Sequence, residues 1–101
     1  MSRRLILSDQ AEVDLEEIAD YIAKDSPRAA LRVVTALRAK CAIIAEQPEL
    51  YPVLESITPE FRRALARPYG IWFQIAPDDT VRIERIVHGA RDLPSLFEPK
   101  P

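Results

Sequence analysis

Three strand-like segments follow one another in residues 61–89, "FRRALARP", "YGIWFQIAP" and "TVRIERIVHG". Each is rich in the aromatic and branched residues that favour strands. Pro68 has no N–H to donate to a β-ladder, so it predicts the end of the first strand. Residues 76–79, Ala-Pro-Asp-Asp, predict a tight reverse turn before the third strand. Three strands joined so closely predict an antiparallel meander.

The middle strand is predicted to have two apolar faces. Because alternate side chains of a strand point to opposite faces, one face carries Tyr69, Ile71, Phe73 and Ile75. Trp72 lies on the other face, which places this strand at the centre of the sheet. Trp72 is interpreted as a core residue; the alternative is that it forms part of a partner-binding site.

Two helices are predicted upstream of the meander, after a short strand over residues 3–8. The first begins at Asp9, because Asp9 and Glu12 have the spacing of a capping box, and its outer face, with Glu12, is expected in water. The second begins at Ser26 and Pro27, a capping residue and a favoured first helical residue. Their apolar stripes are Ala11, Leu15, Ile18 and Ile22, and Ala30, Val33, Val34, Leu37, Cys41, Ile44 and Ala45. So short a turn between them predicts an antiparallel helix hairpin.

Residues 47–60, "QPELYPVLESITPE", contain three prolines and predict a surface connection. A short strand is expected over residues 53–55, and Tyr51 is expected to anchor the connection. The whole chain, residues 1–101, is therefore predicted to be one α+β domain. Its N-terminal strand and antiparallel helix hairpin precede a mostly antiparallel sheet that ends in the three-stranded meander.

Composition excludes several classes of function. The net charge of −2 disfavours a general nucleic-acid binder, and an acidic first helix disfavours a helix-turn-helix protein. One histidine and one cysteine do not make a structural zinc site, and two glycines do not make a phosphate-cradling loop. No cofactor or metal is expected. Cys41 is interpreted as a buried, inert thiol, and the absence of a long apolar run predicts a cytoplasmic protein.

Charge is unevenly distributed along the chain. Residues 1–60 contain seven basic and eleven acidic side chains, whereas residues 61–91 contain six basic and three acidic ones. All six basic residues in the second range are arginines, which suit carboxylates and phosphates. An anionic partner is therefore expected at the sheet, with a solvated face of scattered ion pairs as the alternative.

Arg62 and Arg63 are adjacent on a strand and point to opposite faces. Arg63 shares its face with Leu65 and Arg67. If Leu65 is buried, these arginines lie along the edge of a core; otherwise they are expected to anchor acidic groups of a partner.

The order of these elements resembles the ParE/RelE superfamily of toxins from bacterial type II toxin–antitoxin systems, and more closely its ParE branch. The likeness is carried by residues 7–23 (LSDQAEVDLEEIADYIA), 29–50 (AALRVVTALRAKCAIIAEQPEL) and 62–92 (RRALARPYGIWFQIAPDDTVRIERIVHGARD). The resemblance implies a bacterial toxin, of the kind linked to plasmid stabilization, that inhibits growth by poisoning DNA gyrase. It also implies a hetero-oligomer with a ParD-like antitoxin. In such a complex the antitoxin contacts the operator DNA and the toxin does so only indirectly. No membrane partner is expected. The residues expected to bind a partner are Arg62, Arg63, Arg67, Trp72, Arg82, Arg91, Leu96 and Phe97.

The alternative within the same superfamily is a RelE-like endoribonuclease that cuts mRNA on the ribosome. Such cleavage requires a base, an acid and cations that face the phosphate. RelE-like toxins resemble one another in using clustered lysines and arginines, but the three lysines of this chain fall outside the predicted sheet, which favours gyrase binding over catalysis. The residues that would serve a ribonuclease are Arg63, Tyr69, His88 and Arg91. A degenerate toxin that keeps only antitoxin binding is a third hypothesis.

The stretch "HGARD", residues 88–92, is interpreted as the place where the chain reverses after the last strand. Gly89 allows a backbone conformation that other residues avoid. His88 is interpreted as a structural hydrogen-bonding residue, with a proton-transfer role as the alternative.

Overall fold

A computed structural model describes residues 3–54 and 60–89 of the chain. Within these ranges it contains two α-helices and five strands, and the predicted α+β class is confirmed. The elements are β1 (Leu5–Leu7), α1 (Asp9–Ala23), α2 (Pro27–Glu46), β2 (Val53–Leu54), β3 (Phe61–Ala66), β4 (Tyr69–Ile75) and β5 (Val81–His88), with a 3-10 turn at Pro48–Leu50.

The five strands form one sheet in the order β1-β5-β4-β3-β2. The predicted meander is confirmed, because β3, β4 and β5 pair antiparallel in sequence and β4 lies at the centre. β2 pairs antiparallel with β3, and Glu55 of the predicted short strand lies outside the described residues. β1 pairs parallel with β5, so the first strand of the chain lies beside the last one.

The main core lies between the helix hairpin and one face of the sheet. Ile71 and Phe73 of β4 are both fully buried there, on the face that alternation predicts. The helices contribute Ala11, Leu15, Leu37, Cys41, Ile44 and Ala45 to the same cluster. Each of these helical residues belongs to a predicted apolar stripe, so the periodicity of the sequence identified the packed faces of both helices.

An irregularity in β5 changes which side chains reach this core. Trp72 pairs with Arg85 and the next residue, Phe73, pairs with Ile83, so Glu84 is an extra residue in β5. A bulge of this kind shifts the alternation of a strand by one residue. Ile83 and Ile86 are therefore both buried in the main core although they are three residues apart.

The first helix begins at Asp9 as predicted, but its capping residue differs from the prediction. Its N-cap is Ser8 rather than Asp9, because the Ser8 Oγ accepts a hydrogen bond from the Ala11 N–H at 3.0 Å. The same hydroxyl donates to the Glu84 carbonyl at 2.9 Å, so Ser8 also ties the end of β1 to β5. The predicted cap of α2 is confirmed, since Ser26 Oγ accepts from the Ala29 N–H at 3.1 Å.

Polar contacts also join the helices to each other and hold the connection. Glu12 is partly exposed to water and also accepts from Arg38 of α2 at 2.7 Å across the hairpin. Tyr51 anchors the connection as predicted, with its ring edge-on to Phe73 at a centroid distance of 5.7 Å. The Arg62 guanidinium donates to the Tyr51 carbonyl at 2.7 Å.

One buried carboxylate joins α1 to the edge of β5. Asp14 is 4% exposed, and its oxygens accept from Arg85 Nε at 2.9 Å and Arg85 Nη2 at 3.0 Å. The Ile86 N–H donates to Asp14 at 2.9 Å, and Gln10 Nε2 donates at 3.0 Å. β1 ends at Leu7, opposite Ile83, so Asp14 accepts a backbone donor of β5 that β1 is too short to reach.

Replacing Asp14 with asparagine is expected to lower the free energy of unfolding by about 3 kcal/mol, because it leaves the Arg85 charge without its counter-ion. The new amide N–H groups would also face the Arg85 and Ile86 donors. Denaturant unfolding followed by circular dichroism measures the change. The matched control is Asp20→Asn on the exposed side of the same helix, expected within about 0.5 kcal/mol of wild type, and equal effects of the two changes would contradict the assigned role.

Cys41 is expected to resist alkylation in the folded chain. It is fully buried, and burial raises the pKa of its thiol to about 11, so almost no thiolate is present at pH 8. Labelling with iodoacetamide, followed by mass spectrometry, should therefore require unfolding. The control is Ala42→Cys in a Cys41→Ala background, an exposed neighbour on the same helix that should label at once. Equally rapid labelling of the wild-type chain would contradict the inert assignment.

Candidate functional site

The face of the sheet opposite the helices has its own small apolar cluster. Phe61, Trp72 and Val87 are buried there, and Leu54 packs against them. Among the described residues this cluster consists of strand side chains alone, whereas the main core includes both helices. We call this surface the second face. Trp72 is 3% exposed, so its interpretation as a core residue is confirmed. It belongs to the small cluster of the second face and not to the main core.

Arg63 lies over Trp72 on the second face. The guanidinium carbon is 5.0 Å from the centroid of the indole ring, a cation–π geometry. The pairing follows from the register, in which Arg63 of β3 lies directly opposite Trp72 of β4. The structure therefore holds the Arg63 charge against the sheet instead of leaving the side chain free in water.

A first cleft of about 460 Å³ opens beside Arg63 on the second face. It is lined by Arg63, Leu65, Arg67, Pro68, Tyr69 and Gly89. Leu65 is 51% exposed, so it does not lie in a core and Arg63 and Arg67 do not border one through it. The cleft thus combines an exposed apolar side chain with two guanidinium groups that have no carboxylate partner within residues 3–54 and 60–89, an arrangement suited to an acidic ligand.

The end of β5 closes one side of the first cleft. The Gly89 N–H donates to the Pro68 carbonyl at 2.7 Å, which joins the end of β5 to the turn between β3 and β4. Gly89 has a φ of 76°, in the left-handed region, so the predicted backbone conformation is confirmed. A side chain at this position would strain the turn.

A second cleft of about 440 Å³ lies between α1 and the ends of β4 and β5. Its lining includes Glu17, Tyr21, Tyr69, His88 and the paired Asp14 and Arg85. The exposed His88 side chain contacts Tyr69, with ring centroids 5.4 Å apart and the planes at 85°. Tyr69 is the wall between the two clefts, because it lines both.

The chemistry of Tyr69 follows from its position. Burial raises the pKa of its phenol above the ordinary value, so the hydroxyl stays protonated at neutral pH. A neutral phenol donates a hydrogen bond and is a poor general base. Among the residues that line the first cleft, Tyr69 is the only side chain with a transferable proton other than the arginines.

The remaining predicted site residues are spread over the molecule. Arg62 binds the connection through the Tyr51 carbonyl, and Arg82 on β5 donates to Glu84 at 2.9 Å. Arg91, Leu96 and Phe97 lie outside the described residues. Sequence reasoning missed Asp14 and Arg85, since neither residue differs by type or spacing from the solvated charges around it.

Two further findings concern the described part of the chain. It contains no group of three or more histidine, cysteine, aspartate or glutamate side chains placed to hold a metal ion. None of its helices has both the length and the apolar composition needed to span a bilayer.

Comparison with known proteins agrees with this architecture. The family model for the ParE toxin of the type II toxin–antitoxin system parDE matches residues 5–93. Toxin RelE2 of Caulobacter vibrioides is 37% identical over 82 residues, which cover 81% of this chain and 90% of that protein. A solved structure of the chromosomal ParDE toxin–antitoxin system from P. aeruginosa shares the fold, with a TM-score of 0.74 at 23% identity over 88% of this chain and 98% of that one. The chain therefore belongs to the ParE/RelE family of type II toxin–antitoxin toxins.

Proposed function

We propose that this toxin inhibits growth by binding and poisoning DNA gyrase in the bacterial cytoplasm, and that a ParD-like antitoxin neutralises it. Two features of the described residues support binding over catalysis. They are the identity of the cations on the second face and the separation of the groups that a ribonuclease would need.

The first cleft carries the main argument. Its two unpaired cations are arginines, whereas Lys24 caps the C-terminal end of α1 and Lys40 lies on α2. Arginine is poorly suited to give up a proton, because its pKa lies far above neutrality. A tyrosine is neutral near pH 7, and burial raises the pKa of Tyr69 further. The cleft therefore offers two cations to an acidic ligand and no group suited to deprotonate a ribose hydroxyl.

The second argument is the position of His88. This histidine lines the second cleft, whereas Arg63 lines the first, and Tyr69 separates them. A base and the cations that stabilise the phosphate must act on the same few atoms. The contact between His88 and Tyr69 is nevertheless the feature that favours a ribonuclease most, so that activity is tested beside gyrase inhibition.

The second face is also the surface best suited to the antitoxin. Leu65 offers an exposed apolar contact between Arg63 and Arg67 on the same strand. Segments that neutralise toxins of this family are expected to be amphipathic, and an acidic, apolar segment complements this surface in charge and in hydrophobicity. Arg82 of β5 is a third arginine of the same sheet, and its guanidinium is already paired with Glu84.

The purified chain is expected to inhibit supercoiling by purified gyrase, and prior mixing with its antitoxin should restore supercoiling. Agarose gels of relaxed plasmid DNA measure both effects, including any trapped cleaved DNA. Unimpaired supercoiling at every toxin concentration would remove the gyrase proposal.

The ribonuclease alternative is measured on translated transcripts by primer extension. No new 5′ ends are expected when the chain is added to a translating extract. If cleavage appears and is abolished in both His88→Ala and Arg63→Ala, the enzyme replaces gyrase poisoning as the function.

Reversing the charge of Arg67 should weaken antitoxin binding between about tenfold and 100-fold, because a charge-assisted contact contributes about 1.5–3 kcal/mol. Titration calorimetry of Arg67→Glu against the antitoxin measures the loss. Arg28→Glu is the matched control, an exposed arginine on α2, and its affinity should remain that of wild type. Equal losses in the two variants would indicate a general effect of net charge instead of a contact at the first cleft.

A further inference from the structure

Gly70 leaves a recess with room for a methyl group on the second face, between the Arg63 and Trp72 side chains. A Cβ atom added at Gly70 would lie 3.7 Å from Arg63 Cδ and 3.7 Å from Trp72 Nε1. Gly70 lies within β4, opposite Leu65, and Gly89 is the glycine with a positive φ in the described chain. Backbone conformation therefore does not require a glycine at position 70, and its effect is to leave space between an arginine and an indole N–H.

The indole N–H at this recess has no partner among the described residues. Trp72 Nε1 is buried, and neither a backbone carbonyl nor a side chain accepts its hydrogen. Buried donors in folded proteins are almost always paired, so an exception calls for a specific explanation. An acceptor supplied by a bound partner is one such explanation.

A second donor converges on the same place. The Arg63 guanidinium stacks over the Trp72 ring, 5.0 Å from its centroid, and makes no ion pair within the described residues. The Arg63 side chain also borders the recess through its Cδ atom. Rotation of this long side chain would open the indole N–H while its charge stays within reach of an acceptor.

We propose that the recess above Gly70 binds one carboxylate of an acidic side chain from a partner protein, with Trp72 Nε1 and the Arg63 guanidinium as its donors. The inference rests on the proposed function in one respect, since the antitoxin is the protein expected to supply that side chain. A carboxylate has two oxygens, so one can accept from the indole and the other from the guanidinium.

A protein carboxylate fits this site better than an RNA phosphate does. The recess is as small as one missing side chain, and its surroundings are apolar, with Phe61 and Val87 buried and Leu65 half exposed. Tight RNA binding depends on a row of cations along many phosphates, whereas Arg63 and Arg67 are the unpaired cations that line the first cleft. An aspartate or glutamate among apolar neighbours matches both the donors and the exposed leucine.

The single tryptophan of the chain makes the indole N–H directly observable. In ¹⁵N-labelled full-length protein one indole resonance is expected, and it should move downfield and saturate when a Leu-Glu-Leu peptide with blocked ends is added. The matched Leu-Gln-Leu peptide, which lacks the charge, should bind about tenfold more weakly or not at all.

Two variants test the recess itself. Gly70→Ala fills it with a methyl group at ordinary contact distance, so the fold should persist while the peptide-induced shift is lost. Arg63→Gln removes the guanidinium charge without entering the recess and should weaken peptide binding about tenfold or more. Arg28→Gln on α2 is the control and should bind as wild type does. Unchanged binding by Arg63→Gln would overturn the proposal even if Gly70→Ala failed to fold.

The outcomes separate this inference from the proposed function. An indole resonance that does not respond to the glutamate peptide overturns the site, as does an equal response to both peptides. A larger response to hexauridylate than to the peptide overturns it in favour of RNA. If the antitoxin forms a complex with the chain but leaves the indole unmoved, the recess proposal fails alone; if the peptide moves the indole while gyrase is unaffected, the site stands and the gyrase proposal fails.

Discussion

The carboxylate of Asp14 is the contact on which the arrangement of the sheet and the first helix depends. It joins α1 to β5 through a side chain and a backbone N–H, at the edge that β1 is too short to cover. A buried charge is costly to desolvate, and here the cost is offset because four donor groups reach the same two oxygens. The end of β5, which borders both clefts, is held in place by this contact.

The two faces of the sheet differ in how they are packed. The helix hairpin covers one face and forms the main core, in which Ile71 and Phe73 are fully buried. The second face has a smaller cluster around Trp72, bordered by arginines that find no carboxylate among the described residues. The helix-covered face therefore holds the larger core, and we propose that the second face recognises an acidic partner.

Membership in the ParE/RelE family identifies a toxin of a type II toxin–antitoxin system, but it does not identify the target. Members of one fold perform different chemistry according to the side chains at the site. The features that support the gyrase proposal are local, because the cations of the first cleft are arginines and burial raises the pKa of Tyr69. His88 lies across Tyr69 from those cations, in a different cleft.

The elements of this fold could be predicted from the sequence because each has a local cause. Helical periodicity marked the buried stripes, Ser26 and Pro27 marked the start of α2, and Pro68 marked the end of β3. The likeness to ParE toxins was also readable from the order and spacing of these segments. The site was predicted less completely, because residue type indicated an arginine-bearing sheet without showing which arginines were already paired.

Tertiary structure decided the rest, since it depends on contacts between residues far apart in the chain. Asp14 meets Arg85 across 71 positions, and nothing around Asp14 distinguishes it from the solvated carboxylates of the same helix. The bulge at Glu84, the exposure of Leu65 and the unpaired N–H of Trp72 likewise follow from strand register and packing. The sequence by itself determined the helices, the strands and the family, because these follow from local pattern. Only the folded sheet decided which charges are satisfied and which remain available to a partner, because pairing is a property of three-dimensional position.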